Sequence, residues 1–281
     1  MSSRPHYGID SPAIVAGLFV LSGLGFSAAL MWRLFGDPPV VAEIVLLGVG
    51  AYFLLGGVGM VSYSKHGKLR IRDEILEAIR WRGDEKVLDV GCGRGLLVIG
   101  VACRLTTGMA VGLDRWVAGA LTGNCAEAVL DNARLEGVLD RLAVMEGDVR
   151  QLPFSDDSFD VVVSNFVVHE VNNRAEREQM LREIVRVLKP GGRLALVDFI
   201  FTAECVRVLQ AIGIADAERS RVGSFFSYWL RAVLNFGFVQ TYLVTGSKPS
   251  TTAAGNAQAA HGGSLAEPSP AADGGRDAGS S

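Results

Sequence analysis

Cysteine is scarce in this chain, and what there is does not cluster. Cys92, Cys103, Cys125 and Cys205 are the only four, with no C-x-x-C pair among them. That spacing argues against a disulfide framework and a zinc site and fits free thiols in a reducing compartment, so no metal is expected. Excess positive charge is also missing: 27 Lys and Arg stand against 30 Asp and Glu, a formal net charge of −3. Without a basic footprint, no nucleic-acid partner is expected. Charge of either sign is absent from Pro12 to Met31, where the chain reads "PAIVAGLFVLSGLGFSAALM".

What fills that gap is apolar. A second run from Pro39 to Tyr63, "PVVAEIVLLGVGAYFLLGGVGMVSY", carries Glu43 alone. A bilayer core about 30 Å thick needs roughly 20 apolar residues in a helix, and both runs reach that length. Only the turn-forming "WRLFGDP" lies between them. The expectation is a transmembrane hairpin over residues 1–68, with helices at about 12–32 and 40–63 and with Gly23 and Ser27 at the close approach. A signal peptide would have a shorter core and a more basic start, and a buried core helix would carry a polar face. Lys65, Lys68, Arg70 and Arg72 follow the second run while the short loop offers only Arg33. The positive-inside rule then predicts a multi-pass membrane protein whose remaining chain lies on the cytoplasmic side.

Between residues 69 and 246, apolar strand-like runs alternate with helical patterns. The strands are expected at 86–90, 109–114, 141–148, 159–165, 193–199 and 238–246, and the helices at about 71–81, 95–106, 124–136, 174–188 and 203–213. Such alternation predicts an α/β fold, a doubly wound Rossmann-like sheet, mostly parallel and covered by helices on both faces. In that architecture ligands sit beyond the carboxyl ends of the strands. From 247 to 281 the chain is rich in Ala, Gly, Ser and Pro and reads as a disordered tail.

The loop after the first predicted strand is "VLDVGCGRGLL", in which Asp89 is followed by Gly91, Gly93 and Gly95. Glycine permits positive φ and close backbone approach, and the following helix aims its N-terminus at the ligand. The lysine of a phosphate-binding P-loop is missing, and the third glycine of a dinucleotide fingerprint is replaced by Leu96. Asp114 closes the second strand in "VGLDR", where a carboxylate can accept both hydroxyls of a ribose. Asp148, in "GDVRQLPF", closes the third and is placed to accept from an adenine amino group. Three acids at successive strand ends point to a nucleoside-containing ligand.

These motifs resemble the class I S-adenosylmethionine-dependent methyltransferases, in particular the methyltransferase-domain group that includes quinone-pathway C-methyltransferases. The resemblance runs from Val87 to Phe199 through "VLDVGCGRGLL", "VGLDR", "GDVRQLPFSDDSFDVVVSNFVVHEV" and "LKPGGRLALVDF", and weakly on to Gly246. "GNCAEAVLDNARLEGVLDRL" also looks like a bacterial and archaeal subgroup with helices ahead of the domain. The resemblance implies S-adenosylmethionine as cofactor and an antiparallel last strand. It implies that Asp89, Gly91, Cys92, Gly93 and Gly95 hold the methionine end and wrap the ribose side. Asp114 would bind the ribose, Arg115 and Trp116 would flank the adenine, Asp148 and Val149 would contact its edge, and Asn165 would close the pocket. Arsenite methyltransferases resemble this fold too but use clustered thiols, which this chain lacks.

The methyl of a sulfonium is already activated, so transfer needs mainly positioning, and a base only where the acceptor must lose a proton. His169 and Glu170, just past the fourth predicted strand, are the candidates for it. The aromatic stretch "SRVGSFFSYWLRAVLNFG", with Phe225, Phe226, Tyr228, Trp229 and Leu230, is expected to line an apolar acceptor pocket or lie on the membrane. The expected activity is methyl transfer at the membrane to a small acceptor, lipid or quinone-like. The rival expectations are a non-catalytic tethered sensor or scaffold that binds the same nucleoside, and an NAD-dependent oxidoreductase, which the glycine spacing disfavours.

Overall fold

A computed structural model of the protein describes residues 4–117, 121–222 and 240–250. The segment 223–239, which includes the expected acceptor-lining aromatics, and the tail from 251 lie outside the described residues.

The sheet grows from runs that are apolar on both faces. Strands β1 (Lys86–Val90), β2 (Met109–Asp114), β3 (Leu142–Glu146), β4 (Phe159–Asn165) and β5 (Leu188–Asp198) are joined by β6 (Glu218–Arg221) and β7 (Tyr242–Ser247). The order across the sheet is β3-β2-β1-β4-β5-β7-β6. The first five strands pair in parallel, and β7 runs antiparallel to both β5 and β6. Alternation along each strand divides the core. Val87, Val161 and Ala195 join one cluster, and Leu88, Val162 and Leu194 join the other. Helices α3 (Lys68–Glu77), α4 (Leu96–Ala102) and α5 (Ala126–Leu135) cover the first face through Ile71, Ile75, Ile99 and Val129. Helices α6 (Arg174–Val187) and α7 (Thr202–Ala211) cover the second through Met180, Ile184 and Leu209.

Two differences from the sequence reading have physical causes. Lys189 to Gly192, which fell between the helix expected at about 174–188 and the strand expected at 193–199, are drawn into β5. There Phe159 pairs with Leu188, and Gly191 and Gly192 exchange backbone hydrogen bonds of 2.8 and 2.9 Å with Lys248. Strand β6 carried no signal, because all four of its residues are exposed and its sequence "ERSR" has no apolar alternation. Beyond β7, Lys248 donates to Asp157 and to the carbonyls of Val185 and Leu188, so this end of the chain is tied to the domain.

Helices α1 (Pro12–Phe35) and α2 (Val40–Ser62) are 24 and 23 residues long. At 1.5 Å rise each spans about 35 Å, enough to cross a bilayer core. They pack antiparallel: Phe19 and Phe26, seven residues apart, seat against Gly57 and Gly50, also seven apart. Ser22 Oγ donates to Gly50 O at 2.9 Å, and Gly25 lies against the Gly50 backbone. Gly23, expected at this contact together with Ser27, has nothing within 4 Å of where a Cβ would stand, and both residues are exposed. A 3.6-residue period turns those positions outward and brings Ser22, Gly25 and Ala29 inward. The rest of the apolar surface stays uncovered. Val20, Leu24 and Leu34 on α1 and Val41, Ile44 and Leu55 on α2 are all more than half exposed.

The hairpin does not hang on a loose linker. A single π-helical turn, Tyr63–Gly67, carries α2 directly into α3. Residues 6–10 form a strap that returns across the domain. Lys68 Nζ, 6% exposed, donates to the carbonyls of Tyr7 and Gly8 at 2.7 Å each and meets Asp10 at 3.3 Å. Ser64 Oγ donates to Asp10 Oδ2 at 2.8 Å and accepts from Asp10 N. Burial pulls the Lys68 pKa down from its ordinary value, against the opposing pull of Asp10. Lys68→Met leaves the Tyr7 and Gly8 carbonyls without this donor and the Asp10 carboxylate with Ser64 but no cation. It is expected to cost on the order of 2–4 kcal/mol and to speed amide exchange in residues 6–10. Unchanged exchange there would show that the lysine does not hold the strap.

Candidate functional site

The order β2-β1-β4 places the loop after β1 beside the loop after β4, and the site gathers at this switch. Gly91, Gly93 and Gly95 take φ of 76°, 54° and 87°, in the left-handed region open to glycine. Gly91 N and Cys92 N donate to Leu113 O at 2.7 and 3.1 Å, which fixes the loop on the end of β2. A Cβ on Gly91 would stand 2.2 Å from Val167 Cγ2, and one on Gly95 2.7 Å from Val129.

Several predicted residues converge on one cavity of about 1180 Å³. Asp89, Gly91, Cys92 and Gly93 line it from β1, and Asp114 and Arg115 from β2. Asp148 and Val149 follow β3, and Asn165, His169 and Glu170 follow β4. Gly95 and Trp116 are not among the lining residues. Gly95 is the N-cap of α4, and the Trp116 indole donates to Gly93 O at 3.0 Å, clamping the glycine loop. Asp114 is already engaged on both oxygens, accepting from Gly93 N and Trp116 N at 2.7 Å each.

Buried polar atoms left without partners face this space. Asp89 is 1% exposed, and neither carboxylate oxygen makes a hydrogen bond of full geometry. Burial, with the Asp114 charge adding, pushes its pKa up to about 8 against the pull of the nearby Val98 backbone N–H. Asn124 Oδ1 and Asn165 Oδ1 are likewise buried and unpartnered. Unmet acceptors of this kind carry a desolvation cost that a cationic or hydrogen-bond-donating ligand relieves. Together with a glycine cradle that a side chain would fill, they fit a nucleoside-linked cation. Asp148 is different: the Arg150 guanidinium grips it at 2.6–3.2 Å and holds its pKa down at about 2. The Cys92 thiol is pushed well above its ordinary pKa by burial and by the charges of Asp89 and Asp114, so it stays a thiol.

The most pointed arrangement was only half visible in the sequence. His169 Nδ1 lies 3.1 and 3.2 Å from the oxygens of Asp198, at the end of β5, and its backbone N–H donates to the same carboxylate. Asp198 is 1% exposed. With Nδ1 engaged there, Nε2 is the ring nitrogen left to accept a proton. The imidazole sits among aromatic rings, 4.6 Å from Phe199 and 6.3 Å from Phe166 by centroids. Burial lowers the His169 pKa, yet the hydrogen bond and charge of Asp198, with the Glu170 charge, outweigh it and the net shift is upward. The Glu170 carboxyl is also raised, chiefly by burial. Buried Arg177 holds the loop behind them by donating to Val171 O and Asn172 O while pairing with Glu204. Asp198 lay within the quoted "LALVDF" run, but nothing local tied it to a histidine 29 positions away.

Residues from outside the sheet complete the wall. Tyr7 and Asp10 of the strap, Ser11 at the N-cap of α1, Met60 near the end of α2, Tyr63 of the π turn and Ile71 of α3 line the same cavity. Arg94, between Gly93 and Gly95, donates to His6 O and to the carbonyls of Thr122 and Gly123, which binds the glycine loop to the strap.

Comparison with known proteins gives this geometry a family. The profile of a family described as "Methyltransferase domain" matches residues 88–196. The chain is 34% identical over 143 residues to the methyltransferase GfsG of Streptomyces halstedii, covering 51% of this chain and 48% of that one. It is 33% identical over 140 residues to the demethylmenaquinone methyltransferase of Listeria welshimeri, covering 50% and 54%. The chain thus spans about half the length of the curated relatives it matches. Among solved structures, the methyltransferase of Haloferax volcanii in complex with the Trm112 methyltransferase activator superposes with a TM-score of 0.52. It is 20% identical, covers 69% of this chain and 94% of that one, and shows the fold alone.

The cradle makes a testable demand. Gly91→Ala is expected to cost about 2–5 kcal/mol, the sum of a left-handed alanine and a forced clash. Gly137→Ala has φ of 71° and nothing within 4 Å, so only the first cost applies. Equal losses of stability in thermal melts would mean that the Gly91 cradle is not sterically closed. Residues 88–196 of this chain match a methyltransferase domain, and its α/β fold is the one seen in the Haloferax volcanii structure.

Proposed function

We propose that the whole chain is a membrane-anchored methyltransferase that moves a methyl group from S-adenosylmethionine to a small apolar acceptor, lipid or quinone-like. One observation carries the reading: a single cavity holds both the unpartnered acceptors Asp89 and Asn165 and the His169–Asp198 pair. On this reading residues 1–68 are the membrane hairpin, 69–246 the catalytic domain and 247–281 a tail. The domain lies on the cytoplasmic side, in keeping with the basic residues after α2.

The anchoring rests on α1 and α2, the two helices long and apolar enough to cross a membrane. Only 22% and 17% of their most apolar windows are buried, whereas a core helix of a water-soluble protein is mostly covered. Exposed apolar surface on this scale is far from what water-soluble monomers leave uncovered. A cleavable signal sequence is disfavoured because the residues just ahead of α1 are bonded to Lys68 and Asn132 of the domain.

Asp89, Gly91, Cys92, Gly93 and Gly95 are assigned to the methionine end of the cofactor, and Asp114 to the ribose hydroxyls. Arg115, Asp148, Val149 and Asn165 are assigned to the adenine side. When bound, S-adenosylmethionine supplies an activated methyl on a sulfonium. His169 is assigned as the base, taking the acceptor's proton on Nε2. Asp198 fixes the tautomer and balances the charge that forms. Glu170 is the second candidate, its raised pKa making it a stronger base than an ordinary carboxylate. The demethylmenaquinone methyltransferase relative lends support to a quinone-like acceptor.

Radiolabelled S-adenosylmethionine incubated with the full chain and host lipid extract tests the reading directly. A labelled lipid-soluble product is expected; tight cofactor binding with no transfer to any fraction would favour a sensor or scaffold. Calorimetry with S-adenosylmethionine, S-adenosylhomocysteine and NAD tests the donor site, and binding of NAD alone would overturn it.

Two pH dependences follow. With a pKa of about 8, Asp89 is mostly protonated at neutral pH, and a cationic ligand favours its carboxylate. Binding of S-adenosylmethionine is therefore expected to release a proton and to tighten as pH rises from about 6 to 8. The binding enthalpy then depends on the buffer's ionisation heat, and Asp89→Asn removes that dependence. For His169, the raised pKa means that the neutral base is lost as pH falls through a value above the ordinary one. Asp198→Asn leaves burial to dominate, so the His169 pKa is expected to drop and the acid limb of the rate to move to lower pH. Turnover should fall by about 10²-fold or more. Only four histidines are present, so the His169 resonance can be assigned with His169→Gln and titrated by NMR. Full turnover across the pH range in His169→Gln would remove it as the base.

A further inference from the structure

We propose that Arg177, buried behind the cavity wall, is the positioning residue that sets the His169 ring against Asp198. The proposal rests on the reading of His169 as the base that takes the acceptor's proton, and it adds the group that aims that base.

His169 and Asp198 meet from two separate stretches of chain. His169 stands in a short 3₁₀ turn, Val168–Glu170, beyond β4, and Asp198 is the last residue of β5. The aspartate is well fixed: β5 pairs with β4 on one side and β7 on the other. Its carboxylate also accepts from the Phe199 N–H at 2.7 Å. The histidine's turn has no such frame, and it leads into Val171 and Asn172, which belong to no strand or helix. A turn on a loop of this kind needs outside support to keep a ring nitrogen 3.1–3.2 Å from a carboxylate.

Arg177 supplies that support in both directions. Toward the histidine, its Nη1 donates to Val171 O at 2.9 Å and to Asn172 O at 3.0 Å. Toward the aspartate, Nε and Nη2 donate to the two oxygens of Glu204 at 3.2 and 3.1 Å. The guanidinium also lies 3.7 Å over the ring of Phe201, the N-cap of α7, and Glu204 is in the first turn of that helix. One planar group thus fastens the chain that follows His169 to the chain that follows Asp198.

Arginine suits this place because its fork is rigid and its face can stack, whereas a lysine ammonium is a point charge with neither property. A residue that only joined α6 to α7 would need Glu204 alone; the two carbonyls that Arg177 also takes belong to the histidine's loop. Arg177 is 6% exposed and does not line the cavity, while Val171 and Asn172 do, so it acts through them. The charges that act on His169 are those of Asp198 on β5 and Glu170 in its own turn, and the rings of Phe166 and Phe199 beside it are uncharged. Arg177→Lys keeps the buried positive charge and removes the fork, so a change at His169 in that variant reports geometry.

The test compares Arg177→Lys with the native full chain. Calorimetry follows S-adenosylmethionine binding, NMR follows the His169 Nδ1–H proton and the ring titration, and methyl transfer to host lipid extract gives turnover. Cofactor affinity is expected to stay native, which also reports that the variant folds. The hydrogen-bonded Nδ1–H signal is expected to weaken and the His169 pKa to fall. Turnover should drop by about 10- to 100-fold, the scale of a misplacement of about 1 Å. In an Asp198→Asn background the same substitution should leave the His169 titration where Asp198→Asn alone puts it, because both act through one contact. A native Nδ1–H signal and titration in cofactor-binding Arg177→Lys overturns the proposal, whatever turnover does. If Arg177→Lys fails to bind cofactor, Glu204→Gln decides, since it keeps an acceptor and loosens one arm of the fork. An unchanged Nδ1–H signal there overturns the proposal, and a weakened one upholds it. A displaced titration with full turnover upholds the positioning and sinks His169 as the base.

Discussion

The buried ammonium of Lys68 ties together three parts of the chain that are far apart in sequence. Its side chain is 6% exposed, and it donates to Tyr7 O, Gly8 O and Asp10 Oδ2. Taking a lysine out of water is costly unless each donor is used. The strap, the end of the apolar hairpin and the first helix of the domain thus share one buried donor. Arg94 extends the same logic into the glycine loop by donating to His6 O from between Gly93 and Gly95. The hairpin end is thus linked through the strap to the glycine loop.

Within the domain, the electrostatics divide into groups already satisfied and groups waiting for a ligand. Asp148, Asp114 and Asp198 are each engaged by protein donors. Asp89, Asn124 and Asn165 keep bare acceptors in the same cavity. The first set shapes the walls, and the second leaves hydrogen-bonding capacity unused. His169 stands between them, half-buried, with one nitrogen given to Asp198 and the other left over. Positioning of this kind matters most where the reacting methyl arrives already activated, since the protein's main contribution is then geometry.

Much of this was legible residue by residue. The glycine triplet, the acids at the strand ends and the alternation of strand and helix are local signals, and residues 88–196 carry them in an order that matches a methyltransferase domain. The hairpin helices lie within a few residues of where composition put them, at Pro12–Phe35 and Val40–Ser62. Which small residues make the helix contact was misread, because apolar runs without charge carry no marker of the facing side. Trp116, expected beside the adenine, hydrogen-bonds the glycine loop through its indole, a contact that no local pattern marked.

What the sequence by itself determined are features built from neighbours: apolar length, glycine freedom, strand and helix period. Those depend on chain positions within a turn or two of each other. Only the tertiary structure decided that Asp198 supports His169, that Lys68 fastens residues 60 and 61 positions away, and that one cavity joins the cofactor loop to the hairpin. Each of these needs side chains from separate elements to meet at hydrogen-bond distance. Packing of the two faces of the sheet, rather than any local pattern, brings them there.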